Sequence, residues 1–524
     1  MVETDRSVHS LAHSVAATPA STAAPAPTAA QSSAPAPSAS SALPAAARPA
    51  FWKGPWPSLW IILFGPVMTV LDVFIVNVGL PTIQAYFRTT NAQVQLVVAA
   101  YLVGYSVFLV MGSRLGDHFG RKRLFWIGLV CFTLTSAGCG LAGSIQQLVV
   151  FRFLQGVSAA LSVPQAVTLI HLYFPEHKDK NKAFGYYGLS LGVATILGQF
   201  LGGYLITFHV IEASWRLIFL VNLPIGALAT VLAAWRLRES KLAKPGGFDI
   251  PGMVLLTALL GCLIYPLIQG REQGWPVWSL CMLGGAALLG VWFIGDQRRK
   301  SRAGANPIVH FGLFRYRSFS IGVISLLFFF GVHNAFMLLG SLYFQQALHF
   351  SPLTSSLYFV VMGASFMVGS YTASRVIGRW GVRVPQWGSL LMLTVLLLQA
   401  WFFAQNRVSP SSIVILFMLY GLGFGYVLPS LVNVTLRDIP ESLAGIASGV
   451  YSTLQQFSSA LGVTMIGGVY FGLLKVSDVW VAYRAALLCM AVYQIAGFAL
   501  LERFRRKEGH TAAGTAPVHV DAGH

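Results

Sequence analysis

The chain has 524 residues, of which 55% are hydrophobic and 10% are charged, and its mean hydropathy is +0.67. Soluble domains carry about 25% charged residues, so this composition excludes an ordinary soluble protein and predicts one that lies mostly in lipid. The formal net charge is +18. This charge does not indicate nucleic-acid binding, because the basic residues fall in short loops between apolar runs, as in membrane proteins.

The two ends of the chain differ from the rest in composition. Residues 1–55 are dominated by Ala, Pro and Ser and lack the compact apolar stretch of a secretory signal. They predict a disordered cytoplasmic tail, and residues 506–524 predict a second one. The five cysteines lie inside apolar runs without metal-ligand spacing, so the sequence predicts neither a metal site nor a cofactor.

Long apolar runs account for most of the remaining sequence. A helix needs about 20 apolar residues to cross a bilayer. Fourteen runs of this kind are present, and they predict an all-α polytopic membrane protein. The runs cover 58–80, 93–112, 124–143, 147–171, 183–207, 215–236, 250–269, 277–296, 318–340, 351–371, 385–404, 411–433, 442–472 and 481–501.

The loops between these runs are unequal in basic residues. Loops after even-numbered spans, together with the C-terminal flank, hold 25 Lys and Arg, whereas loops after odd-numbered spans hold five. Cytoplasmic loops carry the excess of Lys and Arg, so we predict that both termini lie in the cytoplasm.

A charged segment between spans 2 and 3 is repeated later in the chain. Residues 112–123 (GSRLGDHFGRKR) have a weaker copy at 373–383 (ASRVIGRWGVR), 261 positions further on. Two other pairs of segments also match, 152–164 with 417–429 and 188–200 with 445–457.

These matches pair spans 1–6 with spans 9–14 and leave spans 7 and 8 as an insertion. We therefore predict an N-terminal six-helix bundle at 56–240, two inserted helices at 241–300 and a C-terminal six-helix bundle at 301–505. Parallel halves of this kind bind their substrate between them, near the middle of the membrane.

The motifs resemble the major facilitator superfamily, and in particular its fourteen-helix drug:proton antiporter family. The resemblance covers roughly residues 55–505. It implies the major facilitator fold and a monomer in the cell (inner) membrane that exports lipophilic or cationic small molecules in exchange for protons by alternating access. The segments that carry it are 71–81 in span 1, 112–123 after span 2, 152–156 in span 4 and 215–226 in span 6.

One motif departs from the family. The antiporter signature in span 5 reads Gly-Pro, two residues and Gly-Gly, whereas here Gln199 stands at the proline position. This change removes the proline kink, and it keeps open a proton-coupled importer or exporter of a specific metabolite. The span has glycines that predict close helix packing and include two GxxxG spacings. They are Gly188, Gly192, Gly198, Gly202 and Gly203.

Asp72 is the main candidate for proton coupling, because it is the one acid well inside a predicted span. A charged carboxylate at the centre of a bilayer costs about 2.5–3.5 kcal/mol, so such an acid favours binding a proton. Arg152 lies in the same outer half of the first bundle and is predicted to favour the ionised form of Asp72 when they approach. The alternatives are a purely structural ion pair, or an Arg152 that reaches the membrane surface.

His333 aligns with Asp72 at the 261-residue offset, so we include it as a second candidate for proton coupling, with a structural hydrogen-bonded histidine as the alternative. Polar residues within the spans are candidates for the substrate cavity. They are Asn77, Tyr101, Tyr105, Gln155, Asn334 and Gln455.

The segment 112–123 is predicted to act as a gate. Its small residues permit close helix approach. By resemblance, Asp117 faces the start of span 13 near Ser442, where a helix N-terminus attracts an acid. The gating residues are Gly112, Arg114, Gly116, Asp117, Gly120 and Arg121.

Other classes of membrane protein fit less well. The sequence contains no Gly-Lys dipeptide, so it has no Walker A loop of an ATP-driven pump. It also lacks the clustered ligands of a membrane metalloenzyme. We therefore do not expect an enzyme, while a receptor without transport activity remains an alternative.

Overall fold

The computed structural model describes residues 54–208, 213–240, 247, 249–305, 307–404 and 409–514. Residues 1–53 of the first predicted tail and residues 515–524 of the second lie outside the described residues. Residue 514 ends the last helix, so part of the predicted second tail continues that helix.

The described residues form α-helices joined by short loops and contain no β-strand. A π-helical turn, Pro266–Gly270, extends α8, and only Val221 separates α6 from α7. The helices are α1 (Trp56–Phe87), α2 (Asn91–Phe119), α3 (Arg121–Gly140), α4 (Ile145–Tyr173), α5 (His177–Thr207), α6 (Leu217–Leu220), α7 (Asn222–Arg236), α8 (Ile250–Tyr265), α9 (Val277–Arg302), α10 (Arg317–Gln346), α11 (Pro352–Trp380), α12 (Arg383–Ala404), α13 (Pro410–Leu436), α14 (Glu441–Leu473) and α15 (Val479–Gly514).

Thirteen helical segments among the described residues are long and apolar enough to cross a membrane, and they match thirteen of the predicted runs. The run 442–472 coincides with α14, which has 33 residues and is long enough to span. Polar residues such as Gln455, Gln456 and Ser459 make α14 less apolar, because they line a cavity instead of facing lipid. The predicted all-α membrane fold is confirmed.

Serine and threonine start several of these helices. Their side-chain oxygens accept hydrogen bonds from the backbone N–H groups that a helix leaves free in its first turn. Thr90 does this for α2, Ser144 for α4, Ser351 for α11 and Ser409 for α13. In a membrane such caps matter, because backbone groups near lipid must be satisfied within the protein.

The helices pack as two groups. Helices α1–α7 contact one another, with α2 against α4 and α1 against α5, and helices α10–α15 do the same, with α11 against α13 and α10 against α14. The groups meet where α5 packs on α11 and α2 packs on α14, while α8 and α9 pack together beside α2 and α14.

Contacts near the helix ends define the two ends of the helix bundle. We call the end where α1 begins the terminal face and the opposite end the distal face. At the terminal face, Arg236 Nη2 donates a 2.9 Å hydrogen bond to the carbonyl oxygen of Gly54. At the distal face, Gln346 Nε2 donates a 3.0 Å hydrogen bond to Gln84 Oε1.

Candidate functional site

Asp72 lies inside the first group of helices, in an ion pair with Arg152. The Arg152 guanidinium on α4 donates through Nη1 to Asp72 Oδ2 on α1, and both residues are almost completely buried, at 0% and 1% exposed. A buried charge requires both an opposite charge and hydrogen bonds to its remaining lone pairs. The two residues that sequence analysis selected are therefore direct partners.

Side chains on α4 and α7 donate further hydrogen bonds to Asp72. Gln155 Nε2 and Asn222 Nδ2 donate to Asp72 Oδ1 over 2.8 Å and 3.1 Å. The same two amide nitrogens also lie 3.1 Å and 3.0 Å from Ser136 Oγ. We call Asp72, Arg152, Gln155, Asn222 and Ser136 the proton cluster, after the role that the sequence predicts for Asp72 and Arg152. Its members come from α1, α3, α4 and α7.

The arginine of the proton cluster is held on every side. Arg152 Nη1 also donates to Gln155 Oε1 over 2.7 Å, and Nε donates to the carbonyl oxygen of Val97 over 3.3 Å. Its guanidinium carbon lies 4.4 Å from the centre of the Tyr101 ring. A cation over an aromatic face is attracted by the negative face of the ring. Arg152 therefore does not reach towards the membrane surface.

A cavity of about 730 Å³ lies between the two groups of helices. Helices α1, α2, α4 and α5 line one side, and helices α10, α11, α13 and α14 line the other. Its wall extends from the middle of the helices to Ser113, His171 and Leu436 near the terminal face. The cavity is therefore open towards the terminal face.

Contacts between the two groups close the distal end. Gln345 Nε2 on α10 donates to the carbonyl oxygen of Val78 on α1 over 2.9 Å. Gln95 Nε2 on α2 donates to the carbonyl oxygen of Val463 on α14 over 2.9 Å, and Arg271 donates to Gln95 Oε1 over 3.1 Å. Arg271 directly follows the π-helical turn that extends α8, so the inserted helices contribute to this closure.

The proton cluster does not line the cavity. On α1 the cavity wall is formed by Pro66, Thr69, Val70, Val73 and Phe74, a spacing that marks one helical face. Asp72 points from another face of α1 towards α4, and it is fully buried.

The predicted cavity residues separate into two sets. Tyr105, Asn334 and Gln455 line the cavity. Tyr101 and Gln155 instead contact Arg152, and Asn77 is buried away from the cavity wall. Polarity within a span identified all six, but the helical face on which each side chain lies decides which ones reach the cavity.

His333 lines the cavity and belongs to an aromatic stack. Its ring lies parallel to that of Phe424, with centroids 3.7 Å apart and planes inclined by 7°. Its Nδ1 is buried and has no hydrogen-bond partner within the described part of the chain. His333 therefore differs from Asp72 in its surroundings, although the two positions align in the repeat.

The span-5 glycines contact both groups of helices. A Cβ atom on Gly198 would lie 2.7 Å from the carbonyl oxygen of Leu71, and one on Gly202 would lie 2.8 Å from that of Ile75, so α5 approaches α1 closely at both. Gly192 and Gly203 lie against Met367 and Ser356 of α11, whereas Gly188 has open space around its Cα.

Gln199, at the family's proline position, does not line the cavity. Its Nε2 lies 3.5 Å from the sulfur of Met337 on α10, and its Oε1 is buried without a partner among the described residues. It therefore contributes a contact between α5 and α10. Without a proline inside it, α5 continues for 31 residues.

The segment 112–123 packs α2 against α4 and the loop after α7. A Cβ on Gly112 would meet the carbonyl oxygen of Ala160, and one on Gly116 would meet Gln165. Gly120 has a φ of 107°, which a residue with a side chain rarely adopts, and it lies against the Glu239 carboxylate.

Two charged residues of this segment have partners at different distances along the chain: Asp117 within the segment and Arg114 in the loop after α9. Asp117 accepts two hydrogen bonds from Arg121, at 3.0 Å and 2.7 Å. Arg114 Nη2 donates to the carbonyl oxygen of Pro307 over 2.5 Å. The side chain of Ser442 is outside the described residues, so the contact between Asp117 and the start of α14 stays a prediction.

Asn222 and Ser136 were not identified from the sequence, although both belong to the proton cluster. Asn222 lies in segment 215–226, so the resemblance in span 6 could have identified it. Ser136 carried no such signal, because a single serine in an apolar run is common. Tyr451, which lines the cavity with a buried hydroxyl that lacks a partner among the described residues, was also missed.

Known membrane transporters are similar in sequence to this chain over most of its length. The model of the Major Facilitator Superfamily matches residues 62–463. A protein of Streptomyces coelicolor described as a probable actinorhodin transporter is 36% identical over 82% of this chain and 75% of its own length. The tetracenomycin C resistance and export protein of Streptomyces glaucescens is 32% identical over 79% of this chain and 75% of its own length.

Solved structures show the same fold. An inward-facing, occupied bacterial homologue of the human lysosomal transporter Spinster aligns over 86% of this chain and 97% of its own, with a TM-score of 0.63 and 15% identity. A D-xylose–proton symporter aligns over 84% and 97%, with a TM-score of 0.60 and 14% identity. The chain is therefore not an enzyme but a multi-pass membrane transporter, and it belongs to the Major Facilitator Superfamily.

Proposed function

We propose that this protein exports a lipophilic small molecule across the cell inner membrane in exchange for protons. The observation that carries the proposal is the fully buried Asp72–Arg152 pair, which lies beside the central cavity and is closed off from it. A buried acid that exchanges its proton only when the helices rearrange can couple proton movement to that rearrangement. Its position within a membrane span favours function over structure alone.

The coupling step uses the hydrogen bonds of the proton cluster. In the proposed cycle, Asp72 is ionised while it is paired with Arg152 as in the arrangement described. When the distal contacts part, a proton from outside binds an Asp72 oxygen and neutralises it. Arg152 then keeps its hydrogen bonds to Gln155 and to the Val97 carbonyl. When the terminal face opens again, the proton leaves to the other side, so one proton enters for each cycle.

The two groups of helices are the moving parts. We propose that 56–240 and 301–505 act as two bundles that rock about the cavity, with the helices of 241–300 beside them, in a protein that works as a monomer. The helix contacts support this division. Most of them lie within one group, and the two groups meet mainly where α5 packs on α11 and α2 packs on α14.

Orientation follows from the basic residues. We propose that the terminal face lies in the cytoplasm, because the loops at that face hold most of the Lys and Arg. The cavity then opens to the cytoplasm, where an exporter takes up its substrate.

Relatives support the direction and the type of cargo. Among them are proteins named for tetracenomycin C resistance and export and for multidrug resistance. By this similarity we propose that the cargo is an antibiotic-like molecule.

Import of a specific metabolite is the second candidate, and α5 favours it. This helix runs without the proline that marks the antiporter signature, because Gln199 replaces it. Inverted membrane vesicles separate the two candidates, since their interior corresponds to the cell exterior. When the vesicle interior is acidified, an exporter accumulates substrate and an importer releases preloaded substrate. Release would overturn the proposal of export.

A further inference from the structure

We infer that the C-terminal wall of the cavity recognises an uncharged planar aromatic substrate that carries hydroxyl or carbonyl groups, and that His333 Nδ1 and the Tyr451 hydroxyl hydrogen-bond to those groups. This inference rests on the proposed function, because it assigns a substrate class to the same cavity. It excludes cationic substrates, which the sequence analysis includes alongside lipophilic ones.

The cavity offers nothing to balance a charge. The residues that the structure places on its wall include two histidines but no Asp, Glu, Lys or Arg. The nearest acid on α1, Asp72, is already paired with Arg152 and has no exposed surface. An ion that leaves water without a counter-charge loses several kcal/mol of solvation. An uncharged substrate does not incur this cost.

The wall is shaped for a flat ring system. His333 and Phe424 stack in parallel, and Phe366 and Phe330 lie 5.5 Å and 5.9 Å from Phe424, measured between ring centroids. All four residues line the cavity. Aromatic groups prefer offset-stacked or edge-to-face neighbours, so such a cluster favours another aromatic ring. A volume of about 730 Å³ lies within the range of small-molecule sites, about 300–1,000 Å³.

Two polar groups on this wall lack partners. His333 Nδ1 and the Tyr451 hydroxyl are buried and without a hydrogen bond among the described residues. A buried polar group without a partner is costly, so a ligand that supplies one gains affinity and specificity. On the same wall Asn334 already donates to Ser459 over 2.9 Å, so its amide nitrogen is occupied.

The first group of helices differs in this respect. None of the cavity-lining residues that it contributes has a buried polar side-chain atom without a partner among the described residues. The substrate's polar groups are therefore recognised by the second group, and the proton is bound by the first.

The test is a binding measurement without a proton gradient, on the purified full-length protein in lipid nanodiscs. The probes are 1,4-dihydroxyanthraquinone, which is planar and uncharged, and ethidium, which is planar and permanently cationic. Both fluoresce, so anisotropy gives their Kd. We expect the anthraquinone to bind and ethidium to bind at least tenfold more weakly. Equal or tighter binding of ethidium, or no saturable binding of the anthraquinone, would overturn the inference.

Variants locate the contacts. Tyr451→Phe and His333→Phe keep an aromatic ring and should each weaken anthraquinone binding about tenfold, the effect of one lost hydrogen bond. Tyr470→Phe is the matched control, because Tyr470 is also a buried, unpartnered tyrosine of α14 but does not line the cavity. If Tyr451→Phe and Tyr470→Phe change anthraquinone binding to the same extent, the proposed hydrogen bond from the Tyr451 hydroxyl to the substrate is wrong. The measurement uses no proton gradient, so a failure of proton coupling would leave this result standing.

Discussion

Asp72 and His333 occupy equivalent positions in the two halves of the repeat, yet Asp72 is ion-paired inside its bundle and His333 faces the cavity. The residues aligned with Arg152 and Gln155 in the second half are Phe417 and Tyr420. Aromatic packing thus replaces the polar cluster there. The duplicated architecture has one proton cluster and one aromatic wall, and in the proposed function this asymmetry separates proton binding from substrate contact.

Removal of Arg152 should show how strongly the stability of the protein depends on the buried ion pair. Arg152→Ala leaves the Asp72 charge buried without a partner, so we expect a loss of roughly 3–5 kcal/mol in unfolding free energy. Thermal unfolding in detergent measures it. The double variant Asp72→Asn/Arg152→Gln should recover most of the loss, because it removes both charges. Equal stability of the wild type and Arg152→Ala would show that the pair is not buried as described.

The same variant bears on the role of Arg152 in transport. If Arg152 controls when Asp72 holds a proton, the pH profile of transport should move in Arg152→Ala. An unchanged profile in folded protein would limit Arg152 to a structural role.

Two glycines of α5 offer a matched comparison. Gly198→Ala places a methyl group 2.7 Å from the Leu71 carbonyl oxygen and should destabilise the protein by about 1–3 kcal/mol, since α1 and α5 must separate. Gly188→Ala meets no atom within 4 Å and should be neutral or stabilise the helix by up to about 1 kcal/mol. The unfolding temperatures of the two variants test this difference, and equal temperatures would contradict the close approach.

The inserted helices should help to hold the distal face closed. Arg271 bonds to Gln95, which in turn bonds to α14, so Arg271→Ala should increase the population open at the distal face. Spin labels at exposed positions 88 and 476, on a background without native cysteines, report the distance between the two sides. Arg484→Ala, at an exposed position on α15, is the control. A distance distribution that is identical in wild type and Arg271→Ala would rule out this role.

Asp249 joins the inserted helices at the terminal face. Burial raises the pKa of Asp249, but hydrogen bonds from Lys300, Gln297 and the Gly252 N–H outweigh it, so the pKa lies below its ordinary value. A depressed pKa means that the stability contributed by Asp249 is complete above its unfolded pKa of about 3.9 and is lost as pH falls through the lower, folded value.

Asp249→Asn should accordingly unfold at a lower temperature than the wild type between pH 5 and 7, and the difference should shrink as the pH falls below about 4. Thermal unfolding across this pH range measures it. A difference that grows on acidification would show that Asp249 is not held as a charged group.

Much of the fold could be predicted from the sequence, because long apolar runs have few structural solutions in lipid. The approach of Asp72 to Arg152 was also predictable, since both lie at similar depth in the outer half of the first bundle. The helical face of each polar residue was not. Tyr101 and Gln155 were assigned to the cavity but contact Arg152, and Ser136 was missed, because small shifts in helix rotation decide which neighbour a side chain meets.

The most direct test of proton coupling through Asp72 compares two transport modes in proteoliposomes. With substrate on both sides and no pH gradient, exchange of labelled substrate requires only alternating access. With an imposed pH gradient, accumulation requires a proton site. We predict that Asp72→Asn retains exchange and loses gradient-driven accumulation, whereas wild-type protein shows both. Accumulation by Asp72→Asn at the wild-type level would contradict the central claim that Asp72 carries the proton.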